Sequence, residues 1–63
     1  DLYVYLSTDM DASEYVSLGR LKANSGNQNY EIPDGADLSK YDTVLIWCQQ
    51  FSVLFGSAKL ASA

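Results

Sequence analysis

Histidine is absent from this sequence of 63 residues, and cysteine occurs once, at Cys48. Without histidine, the chain has no Ser-His-Asp or Cys-His nucleophile system, no histidine-ligated haem, and no blue-copper or conventional zinc site of its own. A single cysteine excludes an internal disulfide, so cysteine usage does not indicate the compartment. We therefore expect neither self-contained catalysis nor a metal or other cofactor bound by this chain alone.

Positive charge is also scarce. The chain has eight acidic and four basic residues, which gives a net charge of −4 and a sequence pI near 4.2. The basic residues are not clustered, so the footprint of a nucleic-acid-binding protein is missing; they are Arg20, Lys22, Lys40 and Lys59. The longest stretch without a charge, residues 43–58, contains several glutamine and serine residues and predicts no membrane span.

With 48% apolar residues, the chain is long enough for one small domain, which we assign to residues 1–63. Nearly every apolar side chain must be buried to offset the conformational entropy of so short a chain. The sequence begins at Asp1. We therefore expect that upstream strands or other protein chains complete the core.

Alternating apolar residues predict strands rather than helices. Leu2–Leu6 has two apolar faces, and Thr43–Cys48 is continuously apolar, as is typical of a strand buried on both sides. The fold class predicted is all-β, a small antiparallel sandwich or partial barrel. Its five strands are Leu2–Leu6, Val16–Leu21 with a bulge at Gly19, a half-exposed strand with Gln28, Tyr30 and Ile32 on one face after a turn at Asn24–Asn27, Thr43–Cys48, and Phe51 to about Leu60.

Two polar loops contain acidic residues. Asp11 and Glu14 have the spacing of a capping box, and Asp37 is placed to cap a single turn from Leu38 to Tyr41. Asp9, Asp11 and Glu14 also offer oxygens for calcium, but the ligand pattern of an EF-hand loop is incomplete, so a solvated loop is favoured. Met10 is interpreted as an exposed loop residue rather than an axial metal ligand.

Cys48 is the residue with the most chemistry. Strand alternation places it on the face of Val44 and Ile46, and a free cysteine in such a position is usually a small buried hydrophobe. A redox thiol is the alternative, although no cationic residue lies near it in sequence to stabilise a thiolate. We predict that Cys48 is largely buried between strands.

Trp47, Tyr30 and Tyr41 carry oxidisable rings and invite an electron-hopping interpretation. Core packing with a hydrogen-bonded polar tip is the more common role of such residues and is the one favoured here.

Residues 18–60 resemble a known family. LGRLKANSGNQNYEIP, followed by DLSKYDTVLIWCQQFSVLFGSAKL, is similar to the DM-thirteen domain, a DOMON-associated domain described as an electron-transfer module. The resemblance implies an all-β fold in an extracellular or organelle-lumenal setting, with a redox role for Cys48. It also implies N-terminal strands beyond those of this chain, which would then be the C-terminal part of the domain.

Two functions follow as hypotheses. One is a redox or electron-transfer module centred on Cys48. The other is a non-catalytic accessory or interaction subunit of a larger assembly, such as one on the lumenal side of a photosynthetic or other energy-converting membrane complex. In both, Leu2–Leu6 is expected to be an open edge that pairs with another chain or with upstream residues.

Overall fold

A computed structural model describes residues 1–22 and 28–61. Within them lies one open antiparallel sheet and no helix. Its strands are β1 (Leu2–Ser7), β2 (Tyr15–Arg20), β3 (Thr43–Cys48) and β4 (Val53–Lys59), in the spatial order β2-β1-β3-β4. The all-β prediction is confirmed, with four strands in the part of the chain that is described.

The predicted strand around Tyr30 is wrong for the residues described. The backbone is irregular at Gln28, Tyr30 and Ile32. The predicted turn at Asn24–Asn27 lies outside the described residues. Tyr30 is instead held through its phenol oxygen, which accepts a hydrogen bond of 2.7 Å from the backbone N–H of Lys22. Ile32 is exposed, so the apolar residues of this segment are not aligned on the core.

The strand β1 lies in the middle of the sheet. It pairs antiparallel with β2 on one side and with β3 on the other, so Tyr5 lies opposite both Ser17 and Leu45. The expectation that Leu2–Leu6 is an open edge is therefore wrong. Two apolar faces are as typical of a central strand as of an unprotected one, and here the chain itself supplies both neighbours.

A bulge separates the two halves of β2. Val4 pairs with Gly19 and Tyr5 with Ser17, which leaves Leu18 without a direct partner. Gly19 has a φ of 104°, a conformation that residues with a Cβ rarely adopt, and its N–H donates a hydrogen bond to the Ser17 hydroxyl oxygen at 3.2 Å. The predicted bulge at Gly19 is confirmed.

Both faces of the sheet contain buried side chains. Val4, Leu6 and Cys48 are buried on one face, whereas Tyr5 and Leu45 are buried on the other. Every residue of β3 is buried or half-buried, as its sequence predicts. The core is therefore divided between the two sides of the central strands.

Carboxylate groups organise the connecting loops. The Asp9 carboxylate accepts hydrogen bonds from the N–H groups of Asp11 and Ser13, so Asp9, and not Asp11, caps the first loop. Asp37 caps the second as predicted: its carboxylate accepts from Ser39, and its carbonyl accepts from the N–H of Tyr41 at 2.8 Å. Among the described residues, no helix long and apolar enough to span a membrane is found.

Removing a buried side chain should destabilise this small sheet strongly. Leu45 is fully buried, so we expect Leu45→Ala to lower the free energy of unfolding by about 2–5 kcal/mol. The same truncation at exposed Leu38 should cost no more than about 0.5 kcal/mol. Urea unfolding of both variants measures the difference, and equal losses would contradict the assigned core.

Acid should also destabilise the fold. Hydrogen bonding by Thr43 and the ion pair with Lys59 lower the pKa of Asp42, and Ser39 and Ser13 do the same for the pKa values of Asp37 and Asp9. Because these pKa values are depressed on folding, the stabilisation is complete above the unfolded pKa of about 3.9 and is lost as pH falls through the folded values.

We therefore expect the free energy of unfolding to decline below about pH 4, and to decline less steeply in Asp42→Asn. Asp34→Asn, at an exposed turn, is the charge-matched control. Thermal unfolding followed between pH 7 and pH 2.5 is the measurement, and an unchanged acid slope in Asp42→Asn would rule out this assignment.

Candidate functional site

Trp47 and Cys48 end the strand β3 and project to opposite faces of the sheet. Cys48 is a free thiol that is 9% exposed, so its predicted burial is confirmed. Its cross-strand neighbours are Leu2 on β1 and Val53 on β4. Both are apolar, so neither contributes the positive charge that stabilises a thiolate.

Cys48 lies next to the turn that joins β3 to β4. The turn that joins β3 to β4 begins at the next residue, and the backbone N–H of Gln49 makes only a long hydrogen bond, 3.4 Å, to the Asp1 carbonyl. Strand ends next to turns open at lower free-energy cost than strand centres. The thiol is shielded in this structure, and local opening of the strand end is the motion that would expose it.

An aromatic stack occupies the other face. The rings of Tyr5 and Tyr15 have centroids 4.1 Å apart with an angle of 17° between their planes, and Tyr5 and Trp47 have centroids 6.1 Å apart with an angle of 24°. Both contacts run diagonally across neighbouring strands, because Tyr15 lies opposite Ser7 and Trp47 opposite Tyr3. Tyr5 is the central ring of the three.

The buried phenol of Tyr5 is held by a hydrogen bond. The side-chain amide of Gln49 donates to its oxygen at 3.1 Å. A hydrogen bond with Tyr5 also raises the pKa of Tyr15 above its ordinary value, with a further contribution from repulsion between the two phenolates. The raised pKa keeps Tyr15 a neutral phenol at physiological pH.

Tyr30 and Tyr41, the other oxidisable rings noted with Trp47 in the sequence, lie outside this stack in the described structure. Tyr30 donates to the side chain of Gln28, and Tyr41 makes a long contact of 3.4 Å with the Glu14 carboxylate. Neither is stacked on Trp47 in the described part of the structure. The missing signal was the register of β1, because alternation alone does not identify which tyrosine lies beside Trp47.

The acidic loop is engaged in structural contacts. The Asp9 carboxylate accepts hydrogen bonds from two backbone N–H groups, and the Glu14 carboxylate forms an ion pair with the Lys40 ammonium at 3.1 Å. No group of three or more metal-ligating side chains is found among residues 1–22 and 28–61. Met10 is exposed, as predicted.

A shallow cleft of about 280 Å³ lies at the opposite end of β3 from Cys48, lined by Thr8, Asp9, Met10, Thr43, Ser57, Ala58 and Lys59. The strand β3 is six residues long, so its two ends lie roughly 16 Å apart. The cleft is therefore separate from the Trp47–Cys48 site.

Exposed apolar side chains lie in and after the turn that follows Cys48. Phe51 in the turn is 69% exposed, and Phe55 in β4 is 72% exposed, with Val53 between them also exposed. The strand β4 is an edge of the sheet among the strands described, and a second bulge occurs at Phe55. We refer to Phe51, Val53 and Phe55 as the β4 patch.

Comparison with known proteins relates residues 1–60 to one family model, described as "Electron transfer DM13". This match extends over nearly the whole chain, including β1 and the acidic loop, which precede the motifs noted in the sequence. No curated protein and no solved structure matches the chain significantly.

The burial of Cys48 has a measurable consequence. We expect a maleimide or aromatic disulfide reagent to label the native protein at least about tenfold more slowly than the unfolded chain, because labelling requires the strand end to open. The chain unfolded in guanidinium is the control. Equal labelling rates would show that the thiol is freely accessible in the native state.

Proposed function

The chain belongs to the Electron transfer DM13 family, and on this premise we propose that it is an electron-transfer module whose redox-active group is the Cys48 thiol. The observation that carries the proposal is the position of the chain's only thiol, shielded at the end of a core strand next to the turn that joins β3 to β4. Shielding limits non-specific oxidation, and opening of the strand end gives a partner access.

A single thiol exchanges electrons by pairing with a sulfur of another molecule. The Cys48 thiol loses its proton and attacks one sulfur of a partner disulfide, so that a mixed disulfide forms and the partner's S–S bond breaks. The leaving thiolate takes up a proton. A thiol of a second molecule then attacks the partner sulfur of the mixed disulfide, which restores the Cys48 thiol and leaves that sulfur joined to the second molecule. A further thiol of the second molecule displaces the partner sulfur, so that the second molecule ends as a disulfide, the partner ends as two thiols, and two electrons have passed between them.

A second candidate function is that of a non-catalytic accessory subunit, and the β4 patch favours it. Exposed aromatic side chains on an edge strand are typical of surfaces that dock onto another protein. The partner would be another chain of a larger assembly, for instance a membrane complex engaged in energy conversion, in an extracellular or lumenal setting. Because Val53 lies opposite Cys48, a partner on this patch would also lie beside the thiol.

The thiol proposal is tested by exchange with glutathione disulfide. We expect one glutathione adduct per chain, removed again by reduced glutathione, and no adduct in Cys48→Ser, because Cys48 is the only thiol. Intact-mass spectrometry during a redox titration measures both directions.

Phe55→Ser is the matched control for surface effects, since Phe55 is exposed and contributes little to the core. It should keep the adduct stoichiometry of the parent chain. Failure to form an adduct after prolonged incubation, with labelling still complete in denaturant, would exclude the thiol as the redox group and leave the accessory-subunit function as the better hypothesis.

A further inference from the structure

We propose that Tyr15, Tyr5 and Trp47 form a relay that carries single electrons between the protein surface and the strand end occupied by Cys48. The relay deepens the proposed electron-transfer function and rests on it. It gives the module a one-electron path in addition to the two-electron chemistry of a thiol.

Ring geometry supports the relay. The centroid separations of 4.1 Å and 6.1 Å place each ring against the next, and both pairs are nearly parallel. Electron tunnelling weakens steeply with distance, so two short steps between contacting rings are faster than one long step that bypasses the middle ring. Tyr5 is thus the position on which transfer along the stack depends.

Burial gives the stack a direction. Tyr5 is 2% exposed, Trp47 is half-buried, and Tyr15 is 47% exposed. An electron donated from solvent would therefore reach the exposed ring of Tyr15 first and the shielded ring of Tyr5 next. The other terminus, Trp47, is joined by one peptide bond to Cys48.

The phenol of Tyr5 must lose its proton when the ring is oxidised. Its oxygen accepts a hydrogen bond from the Gln49 amide, and its ring is stacked on that of Tyr15, a residue that is 47% exposed. An amide N–H cannot accept a proton, so the relay assigns the exit of the proton to the side of Tyr15. A neutral radical on a buried ring avoids the cost of a buried charge.

In the proposed sequence, a one-electron oxidant acts first at Trp47. The oxidant takes one electron, and the indole releases its N–H proton to water. Tyr5 returns an electron to the indole, which regains a proton from water, while the Tyr5 proton passes to the Tyr15 oxygen and Tyr15 releases its own. Tyr15 then gives a hydrogen atom to the Tyr5 radical. The net result is one electron from Tyr15 to the oxidant and one proton to water.

If the three rings served only to pack the core, replacing Tyr5 would have a different effect. Phenylalanine at position 5 would preserve the ring contacts and most of the buried area, so packing alone would be little affected. It would remove the group that is oxidised and deprotonated. Tyr5→Phe therefore separates a relay from a packed core.

The experiment is flash photolysis of the protein with tris-bipyridine ruthenium(III) generated in the flash as the one-electron oxidant. Trp47 is the chain's only tryptophan, so the indole radical signal reports on that ring alone. We expect the indole radical to decay as a tyrosyl radical appears, at a rate independent of protein concentration, and to decay at least about tenfold more slowly in Tyr5→Phe.

Radical trapping followed by peptide mass spectrometry should locate the end of the path at Tyr15, and this label should be lost in Tyr15→Phe. Because Tyr15 is exposed, the second variant keeps the test valid if Tyr5→Phe does not fold. Tyr41→Phe is the matched control, since it removes a phenol outside the stack.

An indole decay unchanged in Tyr5→Phe, or slowed equally in Tyr41→Phe, would overturn the relay, as would trapping at tyrosines other than Tyr15. The thiol proposal fails separately. Cys48→Ser should keep the indole-to-tyrosyl transfer but lose the glutathione adduct, so that a missing relay with an intact adduct rejects the relay alone.

Discussion

The pairing of β1 with strands on both of its edges is the constraint on which the rest of the structure depends. Backbone groups of a strand must find partners, and here β2 and β3 satisfy both edges of β1 without a contribution from another chain. Because β2 and β3 lie on the two sides of β1, its side chains on either face are flanked by side chains of both neighbours. Leu6 and Tyr5 are consequently buried on opposite sides of a sheet that is only four strands wide in the described part of the chain.

Alternation along β3 separates the Trp47 indole from the Cys48 thiol. Cys48 and Trp47 are adjacent in sequence, but alternation along β3 places the thiol with the aliphatic face and the indole with the tyrosines. The thiol gains shielding from Leu2 and Val53, and the indole gains a stacked neighbour. The proposed two-electron group, Cys48, and the proposed one-electron path, which ends at Trp47, are thus one peptide unit apart.

The β4 patch lies at the same end of the sheet. Phe51, Val53 and Phe55 leave apolar surface in water beside the turn that follows Cys48. Proteins commonly protect edge strands with charge or with bulges, and β4 has a bulge at Phe55 and one lysine at its far end. A partner bound here would change the opening of the strand end, which links the interaction hypothesis to the accessibility of the thiol.

The sequence by itself determined the fold class, the buried character of Thr43–Cys48, the bulge at Gly19, the Asp37 turn and the burial of Cys48. Each of these depends on local alternation, glycine conformation or hydrogen-bonding chemistry within a few residues. Only the tertiary structure decided that β1 is central, that the segment around Tyr30 is not a strand, and that Tyr5 and Tyr15 are the companions of Trp47. These depend on strand order and register, which bring together residues 10 to 42 positions apart, and alternation with a period of two does not specify which strands become neighbours.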